Sequence, residues 1–405
     1  MSLGVYFQVP FCQTKCTYCN FHTGVVSRDR YEPYANAVRR EVHDFASGRA
    51  RSGRQAAPAD LRVRTAESGK QAVDTVYFGG GTPSLLDQSA LARIIGSVQE
   101  AFSLSAEPEI TLEADPETIT LEKASAWRAT GFNRISLGVQ SFNDVELKAA
   151  GRMHRRDHVY HATEFLRRAG LANISMDLIA GLPHQTRDSW QTSVGELIAL
   201  RPEHVSIYML EIDEGSRLGK ESLAGGTRYS AATIPSDDDI AEFYEAACEQ
   251  LSTVGYEHYE ISNWALPGFR SRHNLKYWRR EPYLGFGAGA HSFDGRARWA
   301  NVHDAAKYVA FIEQGISPRE QIEQVTPEQA LEEEFFTGLR QLDGIDLSRI
   351  ELLYGRNGLR ERVQLLRTRI ETLRRQGLVE LQGSRLRLAP DRLTVSNEVF
   401  VALLD

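Results

Sequence analysis

The 405-residue sequence is poor in cysteine, has only four methionines, and carries no long apolar run. Four cysteines are too few to staple a disulfide-dense scaffold, and they fit a reducing cytoplasm. No window approaches the ~18 consecutive apolar residues of a membrane span, so no integral membrane segment is expected. The first residues lack a basic stretch followed by an apolar one, which predicts no secretory leader. A formal net charge of −7 leaves no cationic excess for bulk binding to nucleic acid or anionic lipid. What remains, 42% hydrophobic and 25% charged residues, is the balance of an ordinary globular protein. The length allows one large domain and a smaller one.

The few cysteines are unevenly spread. Cys12, Cys16 and Cys19 form a C-x3-C-x2-C run directly after a β-like segment, while Cys248 stands alone on an amphipathic stretch as a small core residue. Three thiolates can hold three irons of a four-iron cluster and leave the fourth iron open to a small molecule. Two other readings stay open on spacing alone. A disulfide would leave one cysteine over, and a zinc site could be completed by His22 as a Cys3His set.

Residues 4 to 254 alternate between two patterns. Short β-branched and aromatic runs recur at Gly4–Val9, Thr75–Phe78, Glu109–Glu113, Arg134–Val139, Ile174–Ile179 and His204–Met209. Between them lie helical spacings such as Leu91, Ile94, Ile95 and Val98, or Trp190, Val194, Leu197 and Ile198. Six strand-then-helix units predict a parallel sheet with helices outside it, either open and doubly wound or curved into a partial barrel. In both cases ligands are expected beyond the carboxyl ends of the strands, where the cysteine loop falls. Residues 47–71 read as a polar surface insertion.

From about Thr326 the character changes. Leu359, Val363, Leu366, Ile370 and Leu373 mark one helix face, and Gly377 stops it. Leu378–Leu381 and Arg385–Leu388 around Gly383-Ser384 predict a hairpin. Helices followed by a small hairpin suggest a winged-helix-like unit over 326–405. Ten arginines against four acidic residues between Arg356 and Arg392 give a local excess, which is read as a solvated helix face rather than a nucleic-acid surface.

Polar residues recur where strands end. Gly79-Gly80-Gly81-Thr82-Pro83 follows the second strand, without the Lys-Ser/Thr of a P-loop or the glycine spacing of a dinucleotide fold. Glu113, Gln140 and Asp177 fall in or just behind apolar runs at equivalent places of three successive units. Such groups are rarely buried without partners, so together they predict a shared polar ligand.

These segments carry a resemblance. Tyr6-Phe7-Gln8-Val9-Pro10-Phe11-Cys12 with Cys16 and Cys19, Gly79–Ser84, Leu112–Pro116, Arg134–Phe142, Asp177–Pro183 and His273–Trp278 resemble the radical S-adenosylmethionine (SAM) enzymes. The similarity is closest to the group that holds oxygen-independent coproporphyrinogen III oxidase and the HemW-type heme chaperones. It implies a partial (β/α)6 TIM-type barrel over residues 1–255, a connecting segment over 256–325, and a C-terminal unit that covers the active-site mouth. It also implies a [4Fe–4S] cluster on the three cysteines, with SAM chelating the open iron and cleaved by one electron to a 5′-deoxyadenosyl radical. By position, Tyr6 and Tyr18 would lie near cluster and SAM, Gly80, Gly81 and Thr82 would meet the methionyl end, and Glu113, Gln140, Arg152 and Asp177 would supply the other polar contacts.

Within that group the oxidase has a further cysteine two residues beyond the third ligand, where this sequence has Phe21, and an extension ahead of its cluster loop. His273-Asn274-Leu275-Lys276-Tyr277-Trp278 matches the H-N-x-x-Y-W motif of HemW-type proteins, associated there with heme. The resemblance therefore implies a heme chaperone, with His273 as a heme contact and Gly285, Gly287 and Gly289 letting a loop approach the porphyrin. Its partners would be acceptor hemoproteins and an electron donor such as a flavodoxin. Oxidative decarboxylation of coproporphyrinogen III is the alternative, and a zinc-binding non-redox module the second.

Overall fold

The computed structural model describes residues 2–48, 69–356 and 358–404. The expected surface insertion, 47–71, lies almost wholly outside the described residues. The six apolar runs become β1 (Leu3–Val9), β2 (Ala72–Gly80), β3 (Ser103–Ala114), β4 (Arg134–Gln140), β5 (Asn173–Ala180) and β6 (His204–Met209). All five neighbouring pairs are parallel. Side chains alternate across each strand. Val5, Phe7 and Val9 of β1 point to the packed layer, where Phe7 stacks on Phe78 and Phe286. Tyr6 and Gln8 point the other way, into the concave interior.

The helices cover the outer face as their spacing predicts. Leu91, Ile94, Ile95 and Val98 are buried along the helix Gln88–Ala101, and Trp190, Val194 and Leu197 along Arg187–Leu200. Each such side chain contributes about 1.5–3 kcal/mol by leaving water. Cys248 lies on the helix Asp237–Thr253 and packs against this core.

Residues 257–324 add strands to both edges of the sheet. On one side β7 (Glu257–Glu260) and β8 (Asn263–Ala265) join β6 antiparallel. On the other, β9 (Tyr283–Phe286) pairs parallel with β1, and β10 (His291–Phe293), β11 (Ala297–Asn301) and β12 (Arg319–Gln324) follow antiparallel. The result is one twelve-stranded open sheet ending in β12 and β7, a partial barrel.

Glu41 of the first helix fastens the β9 side. Its carboxylate accepts from the Gly287 N–H (2.9 Å), the Tyr308 hydroxyl (2.6 Å) and the Asn301 amide (2.7 Å). Burial pushes its pKa up against these bonds. Gly285 and Gly287 are needed there for packing, not for a ligand. A Cβ at Gly285 would meet the His291 carbonyl at 2.2 Å, and one at Gly287, where φ is +102°, the Gln8 carbonyl at 2.5 Å.

The C-terminal unit has the anticipated helix-then-hairpin order. The helix Arg360–Arg375 buries Leu366, Ile370 and Leu373, and a hairpin pairs Val379–Gln382 with Arg385–Leu388 around Gly383. Its arginines pair with nearby acids, Arg362 with Glu332 and Arg387 with Glu380, which spends much of the local charge. None of its residues lines the cavity at the carboxyl ends of the strands. It docks on the β7–β8 edge, where the Ile261 N–H donates to the Arg340 carbonyl (3.0 Å) and the Arg340 guanidinium lies over the Trp278 ring, and on the β9–β11 side, where Glu333 pairs with Arg280 (2.8 Å) and Arg298 (2.6 Å).

Candidate functional site

At the carboxyl ends of β1 to β6 the strands open into a cavity of about 370 Å³. The cysteine loop forms one wall, with Cys12, Cys16, Cys19 and Tyr18. Opposite stand Gly80, Gly81 and Thr82, then Glu113, Gln140 and Asp177, with Arg152 beside Cys16. Eleven of the thirteen anticipated site residues thus meet in one space. None of the lining residues lies beyond Glu211.

Local backbone chemistry holds the two walls together. The Gly81 N–H donates to the Val9 carbonyl (2.8 Å) and the Thr82 N–H to the Phe11 carbonyl (2.7 Å), which ties the glycine turn to the start of the cysteine loop. Only glycine fits: a Cβ on Gly81 would fall 2.4 Å from the Phe11 carbonyl, and Gly80 has φ +108°. The loop closes on itself through Cys12 N–H to the Gly24 carbonyl (3.1 Å), and Thr17 N–H reaches the Ala150 carbonyl (3.0 Å). Burial pushes the Cys12 and Cys19 thiols up.

The carboxylates are unusual for their proton affinity. Glu113 accepts from the Tyr77 hydroxyl (2.8 Å) and the Gly80 N–H (3.1 Å), yet burial lifts its pKa to about 7. Burial lifts Asp177 to about 6, and its Oδ1 has no hydrogen-bond partner among the described residues. Gln140 ends β4 at φ +65°, a strained backbone for a residue with a Cβ. Strain, an orphaned oxygen and raised carboxyl pKa values in one cleft mark a binding site rather than a packed core.

Sequence reasoning missed Asp115 and Glu117, which also line the cavity. Asp115 forms an ion pair with Arg152 and accepts from the Thr82 hydroxyl (3.0 Å), while burial lifts Glu117 to about 7. Asp115-Pro116 reads as a turn signal in isolation; its offset of two from Glu113 on a strand was the available clue.

Two anticipated residues lie elsewhere. Tyr6 sits beneath the cavity wall, its hydroxyl donating to Gln8 (2.8 Å) and its ring stacked with Tyr77 and His273. His273 belongs to the short helix Arg272–Trp278, which closes the barrel at the amino ends of β1 and β2. It is 1% exposed, and both ring nitrogens are bonded, Nδ1 with the Thr75 hydroxyl (2.9 Å) and Nε2 with the Tyr277 hydroxyl (2.9 Å). Burial pushes its pKa down to about 3, so it is neutral. The expected heme contact at His273 is therefore not available in this conformation, because no nitrogen is left for iron. His22 does not line the cavity either. Its ring packs on His303 at 4.3 Å, and among the described residues no three His, Cys, Asp or Glu side chains converge to hold a single metal ion. The Cys3His set required by the zinc reading is not drawn together.

Comparison with known proteins follows the same lines. The profile of the Radical SAM superfamily matches residues 7–197 and that of the HemN C-terminal domain matches residues 325–391. The chain is 32% identical over 405 residues to the heme chaperone HemW of Bacillus subtilis, covering 99% of both. It is 32% identical over 289 residues to that of Escherichia coli, covering 71% of this chain and 69% of the relative. Among solved structures, it is similar to coproporphyrinogen III oxidase (HemN) from Escherichia coli, with a TM-score of 0.80 at 22% identity over 99% of this chain and 90% of the other, a likeness of fold.

Proposed function

The chain belongs to the HemW family of the radical SAM superfamily, and on that footing we propose that it is a heme chaperone. It binds a [4Fe–4S] cluster, SAM and heme, and delivers heme to acceptor hemoproteins. The observation that carries this reading is the single cavity in which three cysteines face Glu113, Gln140 and Asp177, in a chain related to HemW over its whole length.

The residues present fit the cofactors. Three thiols on one loop leave no fourth protein ligand on that wall, as a cluster with an open iron requires. The Asp177 Oδ1 without a partner and the Glu113 carboxyl group provide acceptors for an ammonium or a ribose hydroxyl, both present in SAM. When bound, the cluster supplies one electron to the sulfonium. Cys12, Cys16 and Cys19 would hold the cluster, and Arg152, 3.5 Å from the Cys16 sulfur, would steady that ligand's corner. Gly80 and Gly81 let the methionyl end lie close to the backbone, Thr82 is fixed by Asp115, and Tyr18 packs with Ile179 and Leu182 to keep water from that corner.

Among the described residues no helix is long and apolar enough to cross a membrane. Work in the cytoplasm, with a low-potential donor such as a flavodoxin, suits a cluster that must be reduced. Phe21 in place of a further cysteine sets this chain apart from the oxidase pattern. The deciding experiment uses anaerobically reconstituted protein. Heme loading followed by transfer to an apo-hemoprotein is expected, with no vinyl product from coproporphyrinogen III, SAM and reductant. Formation of that product would overturn the chaperone reading.

A further inference from the structure

If the chain carries heme, as proposed above, an accessible imidazole is a fitting axial ligand for its iron. His273 is buried and doubly bonded. Three other histidines meet at the lip of the cavity. His22 lies three residues past Cys19, His303 follows β11, and His291 opens β10. The rings of His22 and His303 are 4.3 Å apart, those of His291 and His303 6.5 Å. All three are exposed, and none of their rings makes a hydrogen bond among the described residues. The backbone prepares this seat. Gly289, at φ +72°, is the one glycine whose Cβ would crowd His303, 3.0 Å from its Nδ1.

The surroundings suit a flat apolar ligand. Phe21, 66% exposed, lines the cavity mouth, and Val25 and Val26 continue the same loop as exposed apolar residues. Exposed large side chains grouped on one loop mark a binding surface more than a chance pattern. A bare metal ion does not explain the cluster, because the rings do not converge on one point. A heme iron asks for less: one or two axial imidazoles and a plane on which the macrocycle can rest.

We infer that heme docks on this lip, with His303 or His22 as axial ligand and Phe21, Val25 and Val26 against the porphyrin face. Cargo held there sits on the same loop as the cluster cysteines and stays open to an acceptor protein. The test is an anaerobic heme titration of full-length reconstituted wild type, His303→Ala, His22→Ala/His303→Ala and the triple variant that adds His291→Ala, read by Soret and electron paramagnetic resonance spectra. Iron and sulfide content is measured on each variant, and His303→Ala lies off the cysteine loop should the His22 change disturb the cluster. The multiple variants are expected to lose the imidazole-ligated signature and at least about tenfold in affinity, near 1.4 kcal/mol. Wild type that binds heme, with a triple variant that binds it equally and with the same spectrum, removes this assignment and leaves the chaperone reading. Wild type that takes up no heme removes both.

Discussion

The two ends of the barrel interior are built from the same six strands but differ in how their polar groups are served. At the amino end, Glu109 accepts the Arg272 and His273 N–H groups (both 3.0 Å), His273 is bonded on both sides, and buried Lys276 pairs with Asp74 and Glu281. Some buried atoms there also lack partners, among them Arg134 Nε and Nη1, Trp278 Nε1 and Asn173 Oδ1. At the carboxyl end, Asp177 is left with an unbonded oxygen, Gln140 is strained, and Glu113 and Glu117 hold protons to about pH 7. One end spends its polar groups on holding the fold, and the other keeps them for a ligand. The aromatic rings of Tyr77 and His273, 5.1 Å apart, join the two layers.

This contrast can be broken most severely at the cysteine loop. Cys16→Ser is expected to abolish cluster-derived absorbance while the melting temperature of the apoprotein hardly moves, checked by iron content and calorimetry. At the opposite end, His273→Ala is expected to do the reverse. It strands the Thr75 and Tyr277 hydroxyls and should cost about 2–4 kcal/mol of stability by denaturant unfolding, while cluster assembly is retained. Glu41→Ala, which strands three donors on the β9 side, is expected to fall in a similar range of roughly 2–4 kcal/mol.

A subtler change sharpens the comparison. Glu113 has a folded pKa of about 7, above that of an unfolded glutamate, so its contribution to stability is present at acid pH and lost as pH rises through 7. Glu113→Gln should therefore flatten the fall in apoprotein melting temperature between about pH 4.5 and 7, the window set by the two pKa values. The same variant should weaken SAM binding at pH 8, because the ammonium loses its carboxylate. Equal SAM affinity in wild type and variant would deny Glu113 that contact. The smallest effect is expected on the C-terminal surface, where breaking the exposed Arg374–Glu371 pair should change stability by less than about 1 kcal/mol.

Much of this was legible in the sequence, because period and chemistry coincide there. Each of the six strands was visible as an apolar run, and Glu113 and Asp177 stood out as acids inside such runs. The gathering of the cavity follows from those placements and the shared carboxyl ends. The short edge strands were not legible. Tyr283–Phe286 is four residues long and finds its partner in β1, at the far end of the chain, so no local pattern announces it. The burial of His273 was illegible for a related reason: its partner Thr75 is 198 residues away, and a buried hydrogen bond at that separation leaves no trace in spacing. The seat of the C-terminal unit likewise depends on long-range contacts, Arg340 with Trp278 and Glu333 with Arg280 and Arg298, rather than on its own helix pattern.

The account rests on a cluster that Cys12, Cys16 and Cys19 would hold in the cavity they share with Glu113 and Asp177. Electron paramagnetic resonance of the reduced, anaerobically reconstituted protein, recorded with and without SAM, tests it most directly. A four-iron signal whose shape changes when SAM is added is the expected result. Absence of that signal, or a spectrum indifferent to SAM, would contradict it.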